Sequence, residues 1–276
     1  MADFGATEII RKLPGYNGVW PSVETRNVDL GEPATGADSD WGRYNLTPNF
    51  DAKSIRRHRR LCVGILRQLV LTAPDKVFDE QAIPSYLHPN YLARWLFWQR
   101  LSFCARFLSG LGEGSCLDFG CGSGLMLPLL TRLFSRVYAV DPSLAAVRGF
   151  MDMWQRSAGT PLRAVRLSHD LSSAAIPHQS LKLILALDVL EHVEDLQKIL
   201  ADIALVLAPD GVLLVSGPTE NWLYRLGRRI AGFSGHYHLR NIQDVMDEMQ
   251  RLFSVRIVKR LVYPLTFFYI LEARKR

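Results

Sequence analysis

Cysteine is scarce in this sequence: Cys62, Cys104, Cys116 and Cys121 are the four among 276 residues, and no two stand at a CxxC spacing. The usual cysteine frames for a structural metal or a redox dithiol are therefore missing, and the four thiols read as reduced. The opening MADFGATEII lacks a basic stretch followed by an apolar one, so a secretory leader is not expected and the reading is a cytoplasmic protein. No uninterrupted apolar run approaches the roughly 18 residues that a spanning helix needs, so any membrane contact is expected to be peripheral. Charge of a single sign is in short supply as well. Against 27 acidic residues stand 33 basic ones, a formal +6, with an isoelectric point near 9.2. That surplus suits a phosphate-rich or anionic partner without requiring one. Internal repeats and low-complexity tracts are lacking too.

What remains is a globular composition, 48% hydrophobic, enough to bury a substantial core as one large domain or one domain with a long extension. The first fifty or so residues are rich in Gly, Pro, Asn and Asp and predict an irregular arm, partly ordered by docking its aromatic residues. From Ser54 to about Leu71, Ile55, Leu61, Ile65, Leu66 and Leu69 fall at helical spacing behind a basic opening turn, whose residues should stay wet while the second half packs. A second helix is predicted from Tyr91 to Leu111, stopped by Gly110 and Gly112. From Gly114 onward, short β-rich apolar runs alternate with helical patterns, which signals a parallel sheet with helices on both faces. SCLDF, RVYAVD, RAVRLSHD, LKLILALD and GVLLVSG give five strands. The closing pair, VRIVKRLVY and TFFYILEAR, leaves no room for a crossover helix and should be antiparallel neighbours. The chain thus divides into an N-terminal arm and helical region over residues 1–112 and a seven-stranded α/β domain over 113–276.

The first strand runs into LDFGCGSG, Leu117 to Gly124, with glycines at every second position. A strand feeding a glycine turn and then a helix receives ligands at the carboxyl end of the sheet, and glycine both permits unusual backbone angles and leaves room for close approach. A dinucleotide fingerprint would need a further glycine where Leu125 stands. A phosphate loop would need a lysine after the turn, and none is there. The pattern Asp118-x-Gly120-x-Gly122-x-Gly124 instead resembles the nucleotide-binding motif of class I S-adenosylmethionine-dependent methyltransferases, and the resemblance covers about Gly114 to Arg276.

That resemblance implies a Rossmann-like sheet, mostly parallel with an antiparallel last strand. It implies S-adenosyl-L-methionine as cofactor and S-adenosyl-L-homocysteine as product. Gly120, Cys121, Gly122 and Gly124 would form the turn around the cofactor, with Asp118 oriented towards the methionine amino group. Asp141, followed by Pro142, would accept from both ribose hydroxyls; a carboxylate suits this because it offers two acceptor oxygens. Asp170 and Leu171, after the third strand, match the adenine end, while the backbone of Leu187 and the side chain of Asp188 would line the sulfonium side.

Methyl transfer is an in-line displacement, so alignment and exclusion of water supply most of the catalysis. His192 is the leading candidate for a general base, because it follows the fourth strand and imidazole titrates near neutrality; a helix-capping role competes. His236 and His238 follow the fifth strand, where this family covers its substrate, and a surface loop is the alternative. No carboxylate or cysteine frame supports a metal, and none is expected. In residues 222–233, Trp222, Leu223, Leu226, Ile230 and Phe233 share one helical face and Arg225, Arg228 and Arg229 tend to another. This is the form of an interfacial helix, or of a lid over a lipophilic substrate, and quinone-biosynthesis methyltransferases resemble it here. Residues 1–112 are then expected to cover the substrate. The leading expectation is a small-molecule or lipid-like acceptor with peripheral membrane contact through 222–233. A nucleic-acid methyltransferase, suggested by Arg56 to Arg60 but lacking an N/D-P-P-aromatic motif, and a non-catalytic cofactor-binding scaffold are the alternatives.

Overall fold

The computed structural model describes residues 50–72, 82–111, 113–219, 240–262 and 266–276. The arm expected at the N-terminus lies outside them, except for Phe50. That residue is buried, with its amide donating to Ser109 Oγ at 3.0 Å. Helix α1, Ala52–Thr72, opens where the Asp51 carboxylate accepts from the Ser54 amide at 2.7 Å, a side-chain cap for an otherwise orphaned donor. Its buried stripe is Ile55, Cys62, Ile65, Leu66, Leu69 and Val70, so the second half packs and the basic first turn stays largely in solvent. A short α2, Ala82–Leu87, leads to α3, Tyr91–Leu108, capped by Asn90, whose side chain accepts from the amides of Leu92 and Ala93. α3 stops at Ser109, just short of the expected glycines.

The α/β region runs β1 (Ser115–Phe119), α4 (Leu127–Leu133), β2 (Arg136–Val140), α5 (Ala145–Ala158), β3 (Val165–Ser168), β4 (Leu181–Leu187), α6 (Leu196–Val206), β5 (Leu207–Pro218), α7 (Ile242–Met249), β6 (Phe253–Leu261) and β7 (Phe268–Lys275). The strand order is β3-β2-β1-β4-β5-β7-β6. β1 to β5 are mutually parallel, whereas β7 is antiparallel to both β5 and β6. The doubly wound, mostly parallel sheet is the architecture expected from the sequence. The start of β5 differs. β5 begins at Leu207, ahead of the GVLLVSG run, because Leu207 pairs with Leu181 before an irregularity and Val212 then pairs with Leu183. Gly211 sits in that irregularity, where a Cβ would stand 2.7 Å from the Leu181 carbonyl oxygen.

Alternation along the strands sorts side chains onto two faces. Cys116, Val137, Ala139, Leu183, Leu185, Leu214 and Ile270 join a core with α1, α3, α4 and α5. Leu117, Tyr138, Val140, Ile184, Ala186, Leu213, Val215 and Leu271 join another with α6 and α7. The N-terminal helices therefore share a core with the sheet. Among the described residues, no helix is long and apolar enough to cross a membrane.

Candidate active site

The chain leaves β1 towards β2 on one side and returns to β4 on the other, so the loops after β1 and β4 diverge and open a crevice at the carboxyl ends of the strands. The glycine turn follows β1 directly. Gly120 and Gly124 have φ of +72° and +79°, and an added Cβ would approach Val189 Cγ2 to 2.5 Å at Gly120 and Val147 Cγ2 to 2.9 Å at Gly124. Left-handed backbone and close packing thus account for glycine at both ends of the turn, in addition to any space left for a ligand. The amides of Gly120 and Cys121 donate to the Val140 carbonyl at 2.7 and 3.0 Å, tying the turn to the end of β2.

Asp141, one residue past β2, faces this turn. One carboxylate oxygen accepts from the Gly122 amide at 2.8 Å and the other from the Ser143 amide at 3.0 Å. Asp118 lies under the turn on β1, only 3% exposed. Burial pushes its carboxyl up to about 7, and the charge of Asp141 adds to the rise, with no hydrogen bond offsetting either. Burial likewise holds the Cys121 thiol well above its ordinary value, so it is no nucleophile. The Pro142 carbonyl accepts from His169 Nδ1 at 3.0 Å, drawing the ends of β2 and β3 together. Asp170 follows on an exposed turn, where it accepts from Ser172 Oγ at 2.6 Å and the Ser173 amide at 2.8 Å; these bonds hold its carboxyl below the usual value. Leu171 beside it is buried.

At the exit of β4, Leu187 pairs with Ser216 of β5. Asp188 adopts φ +57°, uncommon outside glycine. Its amide donates to the Ser216 carbonyl and its Oδ1 accepts from Ser216 Oγ, both at 2.9 Å. Its other oxygen is ion-paired with Arg100 Nη1. Arg100 comes from α3 and is 3% exposed. Its Nη2 donates to the Tyr86 hydroxyl at 2.7 Å, and its guanidinium lies 5.4 Å from the Phe97 ring centre and 5.5 Å from that of Phe268. Its Nε has no hydrogen-bond partner, and neither does the buried Ser123 Oγ in the glycine turn.

His192 closes the short 3₁₀ turn Leu190–His192 after β4 and is exposed, its amide donating to the Val189 carbonyl at 3.0 Å. His236, His238 and the amphipathic segment 222–233 lie outside the described residues. Among the described residues no three His, Cys, Asp or Glu side chains cluster as a metal site would require.

Three residues of this neighbourhood escape the motif reading: Arg100, Tyr86 and His58. The ring of His58, in α1, meets the glycine turn, with Nε2 2.9 Å from the Leu125 carbonyl oxygen, so Nε2 carries the proton and donates. Desolvation pushes this imidazole down to about 4 and keeps it neutral. The available signal was position: His58 falls on the stripe of Ile55, Cys62 and Ile65, and Arg100 on that of Phe97, Cys104 and Leu108. A polar residue on an apolar helical face needs a buried partner.

The family model described as a methyltransferase domain matches residues 71–255, more than half of the chain. The chain belongs to the methyltransferase domain family. Among curated relatives, a ubiquinone biosynthesis O-methyltransferase of Bradyrhizobium sp. (strain ORS 278) is 36% identical over 124 residues, covering 43% of this chain and 45% of the relative. A protein of the same description from Rhodopseudomonas palustris (strain BisB5) is 31% identical over 129 residues, with the same shares. The chain therefore spans about half the length of the curated relatives it matches. Among solved structures, magnesium protoporphyrin IX methyltransferase from Synechocystis PCC 6803, with bound S-adenosylhomocysteine, aligns at a TM-score of 0.54 and 20% identity, over 77% of this chain and 99% of the other. At that identity, the likeness is one of fold.

Proposed function

We propose that this methyltransferase-family chain uses S-adenosylmethionine to methylate an oxygen of a lipophilic, quinone-type acceptor. The observation that carries the cofactor reading is the set of unsatisfied polar groups around the glycine turn. The Asp118 carboxyl is buried without a hydrogen bond, and Arg100 Nε and Ser123 Oγ are buried without a partner. A buried polar group left so is costly unless a ligand completes it. An amino-acid end, with one ammonium and one carboxylate, complements an acid and an arginine.

On this reading, Asp118 receives the ammonium, the Arg100 side receives the carboxylate, and Asp141 turns its two oxygens to the ribose hydroxyls. Pro142, Asp170 and Leu171 lie towards the adenine, and Leu187 and Asp188 towards the sulfur. When bound, S-adenosylmethionine would supply a methyl group on a sulfonium, whose carbon an aligned nucleophile attacks in line as the thioether leaves in S-adenosylhomocysteine. The chain's own task is to exclude water and hold the acceptor behind that carbon. Phe97 and Phe268, edge to face with ring centres 5.7 Å apart, pack beside Arg100 and give that side chain an apolar surround. His192 takes the acceptor's hydroxyl proton on a ring nitrogen, and His236 and His238 are further candidates for that proton. Residues 1–112 act as the acceptor-covering region and 113–276 as the cofactor-binding domain. The oxygen and quinone class is taken from the name that the curated relatives carry.

Calorimetry with S-adenosylhomocysteine tests the cofactor site. Asp141→Ala is expected to weaken binding by about ten- to a hundredfold, as the loss of hydrogen bonds to a charged acceptor worth roughly 1.5–3 kcal/mol implies. Unchanged affinity would remove Asp141 from the site. Mass spectrometry for the gain of one methylene on hydroxylated quinone precursors tests the acceptor, and a His192→Ala protein with full turnover would remove His192 from the chemistry.

A further inference from the structure

Outside the crevice, charge is distributed very unevenly. α1 holds six basic residues and α3 three, with no acidic residue in either helix. These nine exceed the +6 of the whole chain, so the remainder is net acidic. The buried stripe of α1 fixes which side faces outward: Lys53, Arg56, Arg60 and Arg67 are exposed, and neither helix offers a carboxylate to neutralise them. Arg59 reaches across to α3, its guanidinium 5.4 Å from the Trp98 ring centre and within electrostatic reach of Tyr91 and Arg94. The arginine run of α1 therefore lies beside the first turns of α3. At that point Tyr91 and Leu92 are 67% and 66% exposed, and Arg94 lies over the Tyr91 ring at 5.8 Å.

We propose that the Arg56–Arg60 segment of α1 and the Tyr91–Leu92 turn of α3 form a docking surface for an anionic lipid bilayer. Arginines draw the surface to anionic headgroups, a tyrosine sits at headgroup depth, and an adjacent leucine enters the acyl boundary. RNA would engage the same arginines and could stack on Tyr91, but phosphate and base contacts give no role to an exposed leucine. The surface is made of residues other than 222–233. It also has a consequence for access: the inner side of the same helix bears His58, bonded to the glycine turn, so the crevice sits about one helix diameter, roughly 10–12 Å, from the lipid surface.

The inference does not rest on methyl transfer, because docking is read with neither cofactor nor acceptor present. Flotation of the full chain with vesicles of equal parts phosphatidylcholine and phosphatidylglycerol is expected to show binding, with much weaker binding to phosphatidylcholine alone. Arg56→Gln with Arg60→Gln is expected to lower partitioning about 25-fold, near fivefold per charge. Tyr91→Ser with Leu92→Ser should lower it roughly tenfold at unchanged charge. Unchanged far-UV circular dichroism and thermal unfolding establish that both variants are folded. No binding to the anionic vesicles overturns the proposal, and so does full binding by the Tyr91→Ser/Leu92→Ser variant, which would mean adsorption by charge alone. A third overturning result is salt-sensitive binding to polyuridylate that the arginine substitutions abolish while vesicle binding is unaffected.

Discussion

The two faces of the sheet bury their strands against different kinds of neighbour. On the side of α6 and α7, Leu117, Ile184, Ala186, Leu213 and Val215 meet aliphatic and aromatic side chains. On the side of α1, α3, α4 and α5, the same strands present Asp118 and Ser216 among Cys116, Leu183, Leu185 and Ile270, and the helices bring Arg100, Tyr86 and His58 to them. Burying ionisable groups costs stability. Their concentration on one face, at the carboxyl ends of the strands, marks where stability has been traded for a site.

The largest expected effect sets the faces directly against each other. Arg100→Met leaves Asp188 without its buried partner and should destabilise the protein by about 3–5 kcal/mol in urea unfolding. Adding Asp188→Asn should recover more than half of that loss without restoring affinity for S-adenosylhomocysteine. On the opposite face, Ile184→Ala should cost a similar 2–5 kcal/mol or so, yet leave the folded protein's affinity unchanged. Full affinity in the Arg100 variants would erase the distinction.

A smaller effect separates the faces by pH. Asp118 titrates at about 7 in the folded protein against an ordinary 3.8, so the folded state holds its proton more tightly. The stability from that proton is complete below pH about 3.8 and is lost as pH rises through 7, by up to roughly 4 kcal/mol. Asp118→Asn should remove this slope, so that unfolding at pH 8 shows the variant more stable than the wild type while its cofactor affinity falls. A stability difference between wild type and the Asp118→Asn variant that stays constant from pH 5 to 8 would contradict the burial of an ionisable Asp118.

The smallest effect concerns His58. Its folded value of about 4 against 6.5 works in the opposite direction: the folded state resists protonation, and stability is lost as pH falls from 6.5 towards 4, by about 3 kcal/mol. His58→Leu should abolish that loss but weaken S-adenosylhomocysteine binding about fivefold, for one hydrogen bond to the glycine turn. His58→Gln, which keeps a donor, should bind nearly as the wild type does. Equal affinities for the Leu and Gln variants would assign His58 to packing alone.

Local pattern was sufficient for the strands and the glycine turn, because strand period, glycine spacing and a terminal acid are all contained within a few residues. β1 begins and ends where the SCLDF run does, and Asp141 directly follows β2. The start of β5 escaped because Leu207 continues the apolar run of α6, and only its pairing with Leu181 makes it a strand. His58 and Arg100 escaped for a different reason. Their places on apolar helical stripes are legible, but the partner that each meets depends on how its helix docks on the sheet, and that is set by contacts such as Leu69 of α1 against Gly149 of α5.

The position of β7 has a further consequence, for the order in which the sheet can be completed. β7 lies between β5 and β6 and is the neighbour of both, yet it follows both in the chain. During synthesis, β5 therefore emerges with one edge lacking its partner, and β6 emerges with no strand to join. Both stay unsatisfied until the Phe268–Lys275 segment is made. An open edge on an apolar central strand is a template for wrong pairing, so ribosome stalling or truncation ahead of that segment should yield aggregates rather than a smaller folded protein.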